Sequence, residues 1–351
     1  MKIVHCVFSF NTGGAEMLIV DLINELCDEH DVSLVIVNSK WSESLMLQIN
    51  KRAKIYFINR KEGSRNPFPI LRLNFLLNKI DPDIIHCHDA QMGNLIRLPN
   101  AKLVFTFHTI GIPANNLHRY DLLIAISDAV KSDIATRVVR NSKTIYNGIH
   151  INSFKRRSDY RLGEGNPFSL VQVGRLDHEI KGQDILLEAL ALLKADLLVP
   201  VRLDFVGDGP SCKYLKELTK RLNLEQEVHF QGNREKQWLY QHLSDFNVLV
   251  QPSRIEGFGL TVLEGVAAGL PVLVSSGGGP DEILRRNYSG FSFENGQPDN
   301  CAKQLKLMYA MYKEGQMNEF MLKGKQIVET EYIIKRCAER HIQEYTELLT
   351  T

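Results

Sequence analysis

The sequence predicts two doubly wound α/β domains, each built on a parallel β-sheet. Short runs rich in Val, Ile, Leu and Phe alternate with helical patterns along almost all of the 351 residues. The strand-like runs are continuously apolar, as expected where helices cover both faces of a parallel sheet. The chain is also long enough for two domains of ordinary size, each with its own core.

The strand-like and helix-like segments follow one another in chain order. The predicted strands are 2–9, 32–38, 83–87, 102–107, 121–126, 168–173, 201–207, 246–250 and 271–274. The clearest helical patterns between them are 15–28, 128–139, 181–194, 212–222 and 259–268. In sheets of this kind, ligands bind in the loops that leave the carboxyl ends of the strands.

The alternation is interrupted between Ile151 and Asn166, where charged residues and glycines replace any periodic apolar pattern. Such a stretch is typical of a linker. We therefore place the first domain at residues 1–160 and the second at 161–330. A last helical pattern, Tyr332 to Leu349, follows all the strands, and we expect residues 331–351 to pack back on the first domain.

Composition is that of a globular protein with a net charge of +1. The charge is uneven, because residues 1–165 contain 21 Lys and Arg against 16 Asp and Glu, whereas the remainder contains 21 against 25. The six cysteines form no C-x-x-C pair, which disfavours a zinc site or a disulfide framework and fits a reducing compartment. No apolar run approaches the ~18–20 residues that span a bilayer. We therefore expect a cytoplasmic protein.

The excess of positive charge in the first half suits an anionic partner, although ordinary surface scatter would look the same. Its basic residues Lys51, Arg52, Lys54, Arg60, Lys61 and Arg65 precede the apolar segment from Phe68 to Leu77. This pairing suggests peripheral contact with the inner face of a membrane. The basic clusters lack interleaved aromatic residues, so we expect no nucleic-acid partner.

Glycine-rich loops at strand ends are the first candidate binding elements. Gly13 and Gly14 follow the first strand, and Gly174 and Gly209 lie in loops after later strands. Glycine lets the backbone approach a ligand closely, and a following helix offers free N–H groups to an anion. Simple turns remain an alternative, because neither G-x-G-x-x-G nor G-x-x-x-x-G-K-[ST] occurs.

Two cations accompany the loop at Gly174. Arg175 directly follows a strand, and Lys181 opens the next predicted helix. Together they could hold a diphosphate, the guanidinium as a fork and the ammonium as a point charge, or they could be solvated surface charges. Asp177 and Glu179 lie between them, and we expect both acidic side chains to point away from the site.

The segment from Pro252 to Gly265 is the most informative, because a strand, a glycine-rich loop and a helix follow in succession. Glu256 lies in the loop, and Glu264 lies on the helix among small apolar residues. The start of this helix suits a phosphate, and its carboxylate can accept hydrogen bonds from ribose hydroxyls. A carboxylate in apolar surroundings needs a partner, which favours binding over two solvated glutamates. The candidate site includes the intervening Gly257, Phe258, Gly259 and Leu260.

Histidines end two neighbouring strands. His108 could contact substrate or transfer a proton, or it could be structural. His86 and His88 end the preceding strand, but no third ligand is evident, so the sequence does not favour a metal. The D-x-D at residues 81–83 precedes a strand, where Asp and Pro indicate a turn. We expect neither a metal nor a cofactor.

Taken in order, these motifs resemble glycosyltransferase family 4. The resemblance covers essentially the whole chain and rests on Gly13-Gly14, His108, Asn147-Gly148-Ile149, Gly174-Arg175-Leu176, Lys181-Gly182, the 207–210 turn, Glu256 to Glu264 and Pro271 to Ile283. It implies the GT-B fold, in which two Rossmann-like domains face each other across a cleft and the C-terminal helix crosses back to the first.

The resemblance also implies a reaction. A hexose-type sugar would be transferred with retention, without a metal, from a nucleotide sugar to a glycan or lipid-linked glycan in polysaccharide or lipopolysaccharide biosynthesis. UDP-sugars are favoured as donors over GDP-sugars. Arg175 and Lys181 would bind and stabilise the leaving diphosphate, Glu264 would bind the ribose, and Glu256 would hold the hydroxyls of the donor sugar.

In the same resemblance, the backbone of Gly14 would approach the phosphates and His108 would approach the sugar. His108 therefore joins Arg175, Lys181 and Glu256 as a catalytic candidate. Two alternatives stay open. One is a nucleotide-sugar epimerase or hydrolase of the same architecture, and the other is a non-catalytic subunit that binds nucleotide sugar.

Overall fold

The computed structural model describes residues 1–11, 13–98, 100–113, 117–137, 142–163, 165–196, 200–287 and 290–350, without the side chains of 287 and 323–328. The chain forms two compact units. The first unit joins Met1–Ile149 to Tyr332–Thr351, and the second is His150–Glu331. The division between them therefore falls just before the linker that the sequence predicts.

The first unit contains a seven-stranded parallel sheet with the order β3-β2-β1-β4-β5-β6-β7. Its strands are β1 (Lys2–Val7), β2 (Asp31–Asn38), β3 (Lys54–Arg60), β4 (Ile84–Cys87), β5 (Lys102–Phe107), β6 (Leu122–Ala125) and β7 (Lys143–Thr144). Its helices are α1 (Gly14–Leu26), α2 (Glu43–Met46), α3 (Phe68–Ile80), α4 (Asp128–Ala135) and α13 (Ile334–Thr350), with 3₁₀ turns at Met92–Asn94 and Leu117–Arg119. The strand order reverses between β1 and β4.

The core of the first unit lies between the sheet and the pair α1 and α13. Apolar side chains from β1, β2 and α1 are fully buried there, and α13 contributes Ile334, Cys337 and Tyr345 to the same cluster. The apolar residues of α13 recur at helical spacing, so one face of this helix covers the core. The C-terminal helix is thus an integral part of the first unit.

A buried hydrogen bond anchors α13 to the sheet. Tyr345 Oη lies 2.6 Å from His86 Nδ1, and His86 Nε2 lies 2.6 Å from Thr106 Oγ1. Burial raises the pKa of Tyr345 and lowers that of His86, so both groups are neutral and share one hydrogen between Tyr345 Oη and His86 Nδ1. The second ring nitrogen of His86 shares another with the Thr106 hydroxyl, so both nitrogens of this buried ring are satisfied.

We expect Tyr345→Phe to lower the free energy of unfolding of the first unit by about 1–3 kcal/mol, because it leaves the buried His86 Nδ1 without its hydrogen-bond partner. Urea denaturation followed by circular dichroism measures the change. Tyr56→Phe on β3 is the control, since the Tyr56 hydroxyl bonds to no described residue. Equal stability of the two variants would contradict the anchoring role of this bond.

The second unit contains a six-stranded parallel sheet with the order β10-β9-β8-β11-β12-β13. Its strands are β8 (Phe168–Val173), β9 (Val201–Val206), β10 (Val228–Gly232), β11 (Val248–Gln251), β12 (Val272–Ser275) and β13 (Gly290–Phe293). Its helices are α5 (His178–Lys181), α6 (Gln183–Asp196), α7 (Cys212–Arg221), α8 (Lys236–His242), α9 (Leu260–Ala267), α10 (Gly279–Asn287), α11 (Pro298–Lys313) and α12 (Met317–Glu331), with 3₁₀ turns at Ile151–Ser153 and Leu243–Asp245. Here the order reverses between β8 and β11.

Each strand that the sequence predicts is present, and no end is moved by more than two residues. Four further strands, β3, β7, β10 and β13, were not predicted. Among the helices, α3 occupies the apolar segment that begins at Phe68. In the described part of the chain, no helix combines the length and apolar character needed to span a bilayer.

Candidate active site

The main group of candidate residues lies in the second unit, where its strand order reverses. Neighbouring strands β8 and β11 send their loops in different directions at this point, which is where doubly wound sheets bind ligands. The segment after β8 carries Arg175 and Lys181, and the loop after β11 carries Glu256. Residues 75 positions apart in sequence therefore come together at one edge of the sheet.

Lys181 and Glu256 form a close ion pair. Lys181 Nζ lies 2.5 Å from Glu256 Oε2, and the two side chains are 24% and 19% exposed. Gln251, at the end of β11, places its Nε2 3.3 Å from the same carboxylate oxygen and 2.8 Å from Ser253 Oγ. Its Oε1 accepts a hydrogen bond from Thr261 on α9. The glutamate is thus held at the start of α9 by an ammonium group and an amide.

The loop after β11 is fastened to α5 by its own backbone. Arg254 N and Ile255 N both donate to the carbonyl of Ile180, at 2.8 and 3.2 Å. The Arg254 guanidinium forms two parallel hydrogen bonds, of 2.7 and 2.8 Å, with the carboxylate of Asp184 on α6. A bidentate pair of this kind fixes both partners in one orientation. The lysine and the glutamate therefore belong to one rigid arrangement.

Close backbone packing at Gly182 and Gly209 completes this arrangement. Gly182 ends α5 with φ +65°, and a Cβ atom there would lie 2.0 Å from the carbonyl oxygen of Pro252. A Cβ at Gly209 would lie 2.4 Å from the carbonyl oxygen of Leu176. Only glycine allows these approaches. Gly174 follows β8 directly, and its N–H donates to Val206 on β9.

Arg175 is exposed, and its guanidinium forms neither a hydrogen bond nor an ion pair with any described residue. Among the described contacts its backbone carbonyl alone is engaged, accepting from Gln183 Nε2 and from the backbone N–H of Asp177, each at 2.9 Å. Asp177 and Glu179 form no ion pair with Arg175 or Lys181 among the described side chains. The guanidinium is consequently open to an anionic ligand that binds at the carboxyl ends of the strands.

The start of α9 offers a second feature for an anion. Gly259 precedes the helix with φ +95° and gives it no side-chain cap. The first N–H groups of a helix have no acceptor within it, so they are available to a phosphate or a hydroxyl oxygen. Phe258 is 2% exposed, so that its contribution is limited to backbone. Glu264 is half-buried one turn into α9, between the buried Leu263 and Gly265.

The remaining candidates, His108, Gly13 and Gly14, lie in the first unit. Gly13 caps α1 and Gly14 is its first residue. His108 follows β5, and its Nε2 lies 2.9 Å from His88 Nδ1. Burial lowers the pKa of His108 to about 4, so its imidazole is neutral at physiological pH.

Sequence reasoning missed His5 and His341, which join this histidine cluster. His5 lies opposite His86 where β1 pairs with β4, and one ring nitrogen from each of His5, His86 and His88 falls within 4.8 Å of the others. A third histidine is therefore present where the sequence suggested none. The order of strands in a doubly wound sheet was the available signal, since it places β1 beside β4.

An open pocket of about 580 Å³ lies at the carboxyl ends of the first strands of this unit, lined by Ser9, Glu16, Asn38, Arg60, Glu62 and Asp89 among others. Arg60 Nη1 donates to Asn38 Oδ1 at 3.2 Å, and Asp89 Oδ2 accepts from the backbone N–H of Phe8 at 2.8 Å. Burial raises the pKa of both Asp89 and Glu16. Of these pocket residues, only Arg60 belongs to a sequence prediction, as part of the basic segment before Phe68 and not as a binding residue.

Comparison with known proteins gives these features a family. The sequence profile described as Glycosyltransferase Family 4 matches residues 12–153, and the profile described as Glycosyl transferases group 1 matches residues 155–320. The chain belongs to glycosyltransferase family 4. Both units are thus accounted for by this family, and the Lys181–Glu256 pair lies within the second match.

Relatives of family 4 resemble this chain at moderate identity. The sulfoquinovosyl transferase SQD2 of Arabidopsis thaliana is 29% identical over 66% of this chain and 50% of its own length. The putative glycosyltransferase EpsD of Bacillus subtilis is 26% identical over 77% of this chain and 82% of its own length. The chain spans only half of the plant relative, and matches to two archaeal relatives cover 64% of each.

Solved structures establish the fold of this family 4 member. The structure of Anabaena Alr3699/HepE, determined in complex with UDP and glucose, superimposes with a TM-score of 0.81 and 22% identity. The match covers 99% of this chain and 100% of the Anabaena chain. The two Rossmann-like units therefore form a GT-B fold.

Proposed function

We propose that this chain is a retaining glycosyltransferase that moves a hexose-type sugar from a nucleotide sugar to a glycan or lipid-linked glycan. The observation that carries the proposal is the Lys181–Glu256 pair, at the point where the second sheet reverses its order. The exposed Arg175 follows β8 in the same segment that carries Lys181. Family membership supports the reaction class. The UDP and glucose bound to HepE support a UDP-sugar as the donor, ahead of a GDP-sugar.

The first role of these residues is to stabilise negative charge on the leaving diphosphate. When the bond from the anomeric carbon to the diphosphate breaks, negative charge grows on the departing phosphate oxygen. Arg175, Lys181 and the start of α9 present fixed positive charge and N–H dipoles, which stabilise that oxygen best when they need no rearrangement. These groups can supply the stabilisation without a metal, and we propose metal-independent transfer.

Glu256 and Glu264 would hold the two ends of the donor. Glu256 is fixed by Lys181 and Gln251, and it retains a second carboxylate oxygen for hydroxyls of the sugar. Glu264, one turn into α9, would accept hydrogen bonds from the ribose.

The acceptor hydroxyl then bonds to the anomeric carbon on the face that the diphosphate leaves. Its proton passes to the departing phosphate oxygen, which conserves both atoms and charge.

The pocket in the first unit is our candidate site for the acceptor. Its amide, carboxylate and guanidinium groups are those that bind sugar hydroxyls. Its lining contains three carboxylates, those of Glu16, Glu62 and Asp89, and one guanidinium, that of Arg60. Because carboxylates outnumber cations in this lining, the pocket suits a sugar that carries no negative charge. This supports a glycan in polysaccharide or lipopolysaccharide biosynthesis as the acceptor.

A donor screen tests the function. Purified protein is incubated with UDP-, GDP- and ADP-sugars, with and without a membrane lipid extract, in EDTA and in Mg²⁺, and release of nucleoside diphosphate is followed. Acceptor-dependent release from one donor, equal in EDTA and Mg²⁺ and lost in Glu264→Ala, is expected. Release that ignores the acceptor would indicate an epimerase or hydrolase. Nucleotide binding without release from any donor would indicate a non-catalytic subunit.

We also propose that the cytoplasmic enzyme contacts the inner face of the membrane through α3. Phe68, Leu71 and Phe75 are 71%, 62% and 73% exposed, and their spacing puts them on one face of the helix. Arg72 and Lys79 lie on the same exposed side, and α3 contains no acidic residue. An apolar stripe bordered by cations matches an anionic bilayer surface.

The double variant Phe68→Ser/Phe75→Ser is expected to bind anionic vesicles at least about tenfold more weakly, because burial of each phenylalanine contributes roughly 1.5–3 kcal/mol. Sedimentation with phosphatidylglycerol vesicles at low salt measures the change. Leu322→Ser in α12 removes an equally exposed apolar side chain, at 72%, and serves as the control. Unchanged sedimentation of the double variant would exclude α3 as the contact.

A further inference from the structure

Three imidazoles in the first unit form a continuous hydrogen-bonded chain. His5 Nδ1 lies 3.0 Å from His88 Nε2, and His88 Nδ1 lies 2.9 Å from His108 Nε2. His5 is fully buried on β1, and His88 and His108 follow β4 and β5. The chain therefore runs from the interior of the sheet to its carboxyl edge, where ligands bind in this fold.

Each link in this chain requires one hydrogen between two nitrogens. Burial lowers the pKa of His5 to about 3 and that of His108 to about 4, and it lowers the pKa of His88 well below its usual value. Each neutral ring carries a single N–H, so each can donate from one nitrogen and accept at the other. The three tautomers are consequently coupled, and all three hydrogens lie on Nδ1 or all three lie on Nε2.

The buried end of the chain distinguishes the two states. His5 Nε2 is buried and has no hydrogen-bond partner among the described residues. In the Nε2–H state this nitrogen would be a buried donor with no acceptor, an arrangement that proteins rarely tolerate. In the Nδ1–H state it is only an unused acceptor, and every N–H of the chain except the outermost is bonded. The Nδ1–H state thus leaves no orphaned donor in the interior.

We propose that His5 and His88 hold His108 in the Nδ1–H tautomer, so that His108 presents a hydrogen-bond donor to the substrate. His108 Nδ1 is the ring nitrogen of the outermost member that bonds to no described residue. A neutral donor at this position binds an oxygen of the sugar or phosphate, and it cannot remove a proton from the acceptor hydroxyl. His88 is then a positioning residue. This inference rests on the proposed function only in giving His108 a substrate to bind.

The rest of the cluster does not disturb the chain. Both nitrogens of His86 are engaged, with Tyr345 and Thr106, and His341 Nδ1 lies 2.8 Å from the backbone carbonyl of Cys337. Neither histidine forms a hydrogen bond to His5, His88 or His108 among the described contacts. A variant at Tyr345 therefore alters the same buried region without touching a link of the chain.

Long-range ¹H–¹⁵N NMR of histidine-labelled protein tests the proposal without any assay of activity. The His108 ring, assigned by loss of its signals in His108→Gln, is expected to show a protonated Nδ1 and a bare Nε2 at pH 7. A protonated Nε2 in the unaltered protein would overturn the proposal. This measurement needs no nucleotide sugar. Its result is therefore valid even if the screen of sugar donors detects no transfer.

Two variants of His88 test its part in the chain. His88→Leu removes the donor to His108 Nε2, and the Nδ1–H share of His108 is expected to fall from nearly all to a minority, because an unconstrained neutral histidine favours the Nε2–H tautomer. His88→Asn can place an amide N–H near the same nitrogen and is expected to restore the Nδ1–H tautomer. Tyr345→Phe should leave the His108 signals unchanged. If the His88→Leu variant has a native circular dichroism spectrum and its His108 tautomer is unchanged, His88 does not position His108.

Discussion

Replacing Lys181 with methionine is expected to lower acceptor-dependent sugar transfer about 10²- to 10³-fold, as loss of one fixed charge at a reacting oxygen commonly does. The change removes the ammonium group proposed at the leaving diphosphate. It also leaves Glu256, whose Oε2 lies 2.5 Å from that group, with only an amide as a partner. The initial rate of nucleoside diphosphate release, measured at saturating donor, reports the loss.

A matched lysine makes this experiment specific. Lys194 pairs with Glu227 at 2.7 Å in the same unit, but it lies on α6 and takes no part in the candidate site. Lys194→Met removes the same charge and is expected to leave the rate within about twofold of the parent, because the described partners of Lys194, Glu227 and Asn223, lie outside the candidate site. Equal rates for Lys181→Met and Lys194→Met would remove Lys181 from the mechanism.

Gly182→Ala is expected to reduce transfer at least about tenfold and to destabilise the second unit by about 2–4 kcal/mol. The new Cβ would lie 2.0 Å from the carbonyl oxygen of Pro252, so either α5 or the loop after β11 must move. Each of these segments carries one member of the Lys181–Glu256 pair. Transfer rates and urea denaturation of the second unit measure the two effects.

Gly232→Ala is the control that separates the effect of the clash with Pro252 from the effect of a left-handed backbone conformation. Gly232 has the same φ of +65°, and a Cβ there would meet nothing within 4 Å. Its substitution carries only the cost of a left-handed alanine, roughly 1–2 kcal/mol, and should preserve transfer. If Gly182→Ala lost no more stability and no more activity than Gly232→Ala, the approach of α5 to Pro252 would be irrelevant to the site.

Most of the fold could be predicted because interior strands of parallel sheets are apolar on both faces. The four strands that the sequence did not reveal, β3, β7, β10 and β13, are the outermost strands of the two sheets. Several residues of β3 and β10 are only partly buried, and β7 has two residues. Edge strands have fewer neighbours to cover them, so their sequences need not be continuously apolar.

The second-unit candidates were accessible to sequence reasoning because they lie within a few residues of strand ends and glycines. Arg175, Lys181 and Glu256 all meet this description, and topology brings them to one edge. His5 and Asp89 were not accessible in this way. Their importance depends on contacts across the sheet, to His88 and to the backbone of Phe8, which no local pattern encodes. Glu264 was recognised because a carboxylate is unusual in an apolar helix and because its spacing from Glu256 resembles that of the family.

The first unit is discontinuous in sequence, and this has a consequence for its synthesis. Residues 150–331 are made between its two parts, and at roughly 5–20 residues per second this takes on the order of 10–40 s. During that interval α1 lacks the helix that covers it, and His86 lacks the hydroxyl of Tyr345. The second unit, which is continuous, can fold first on the ribosome. The half of the enzyme that emerges first is therefore the half that is completed last.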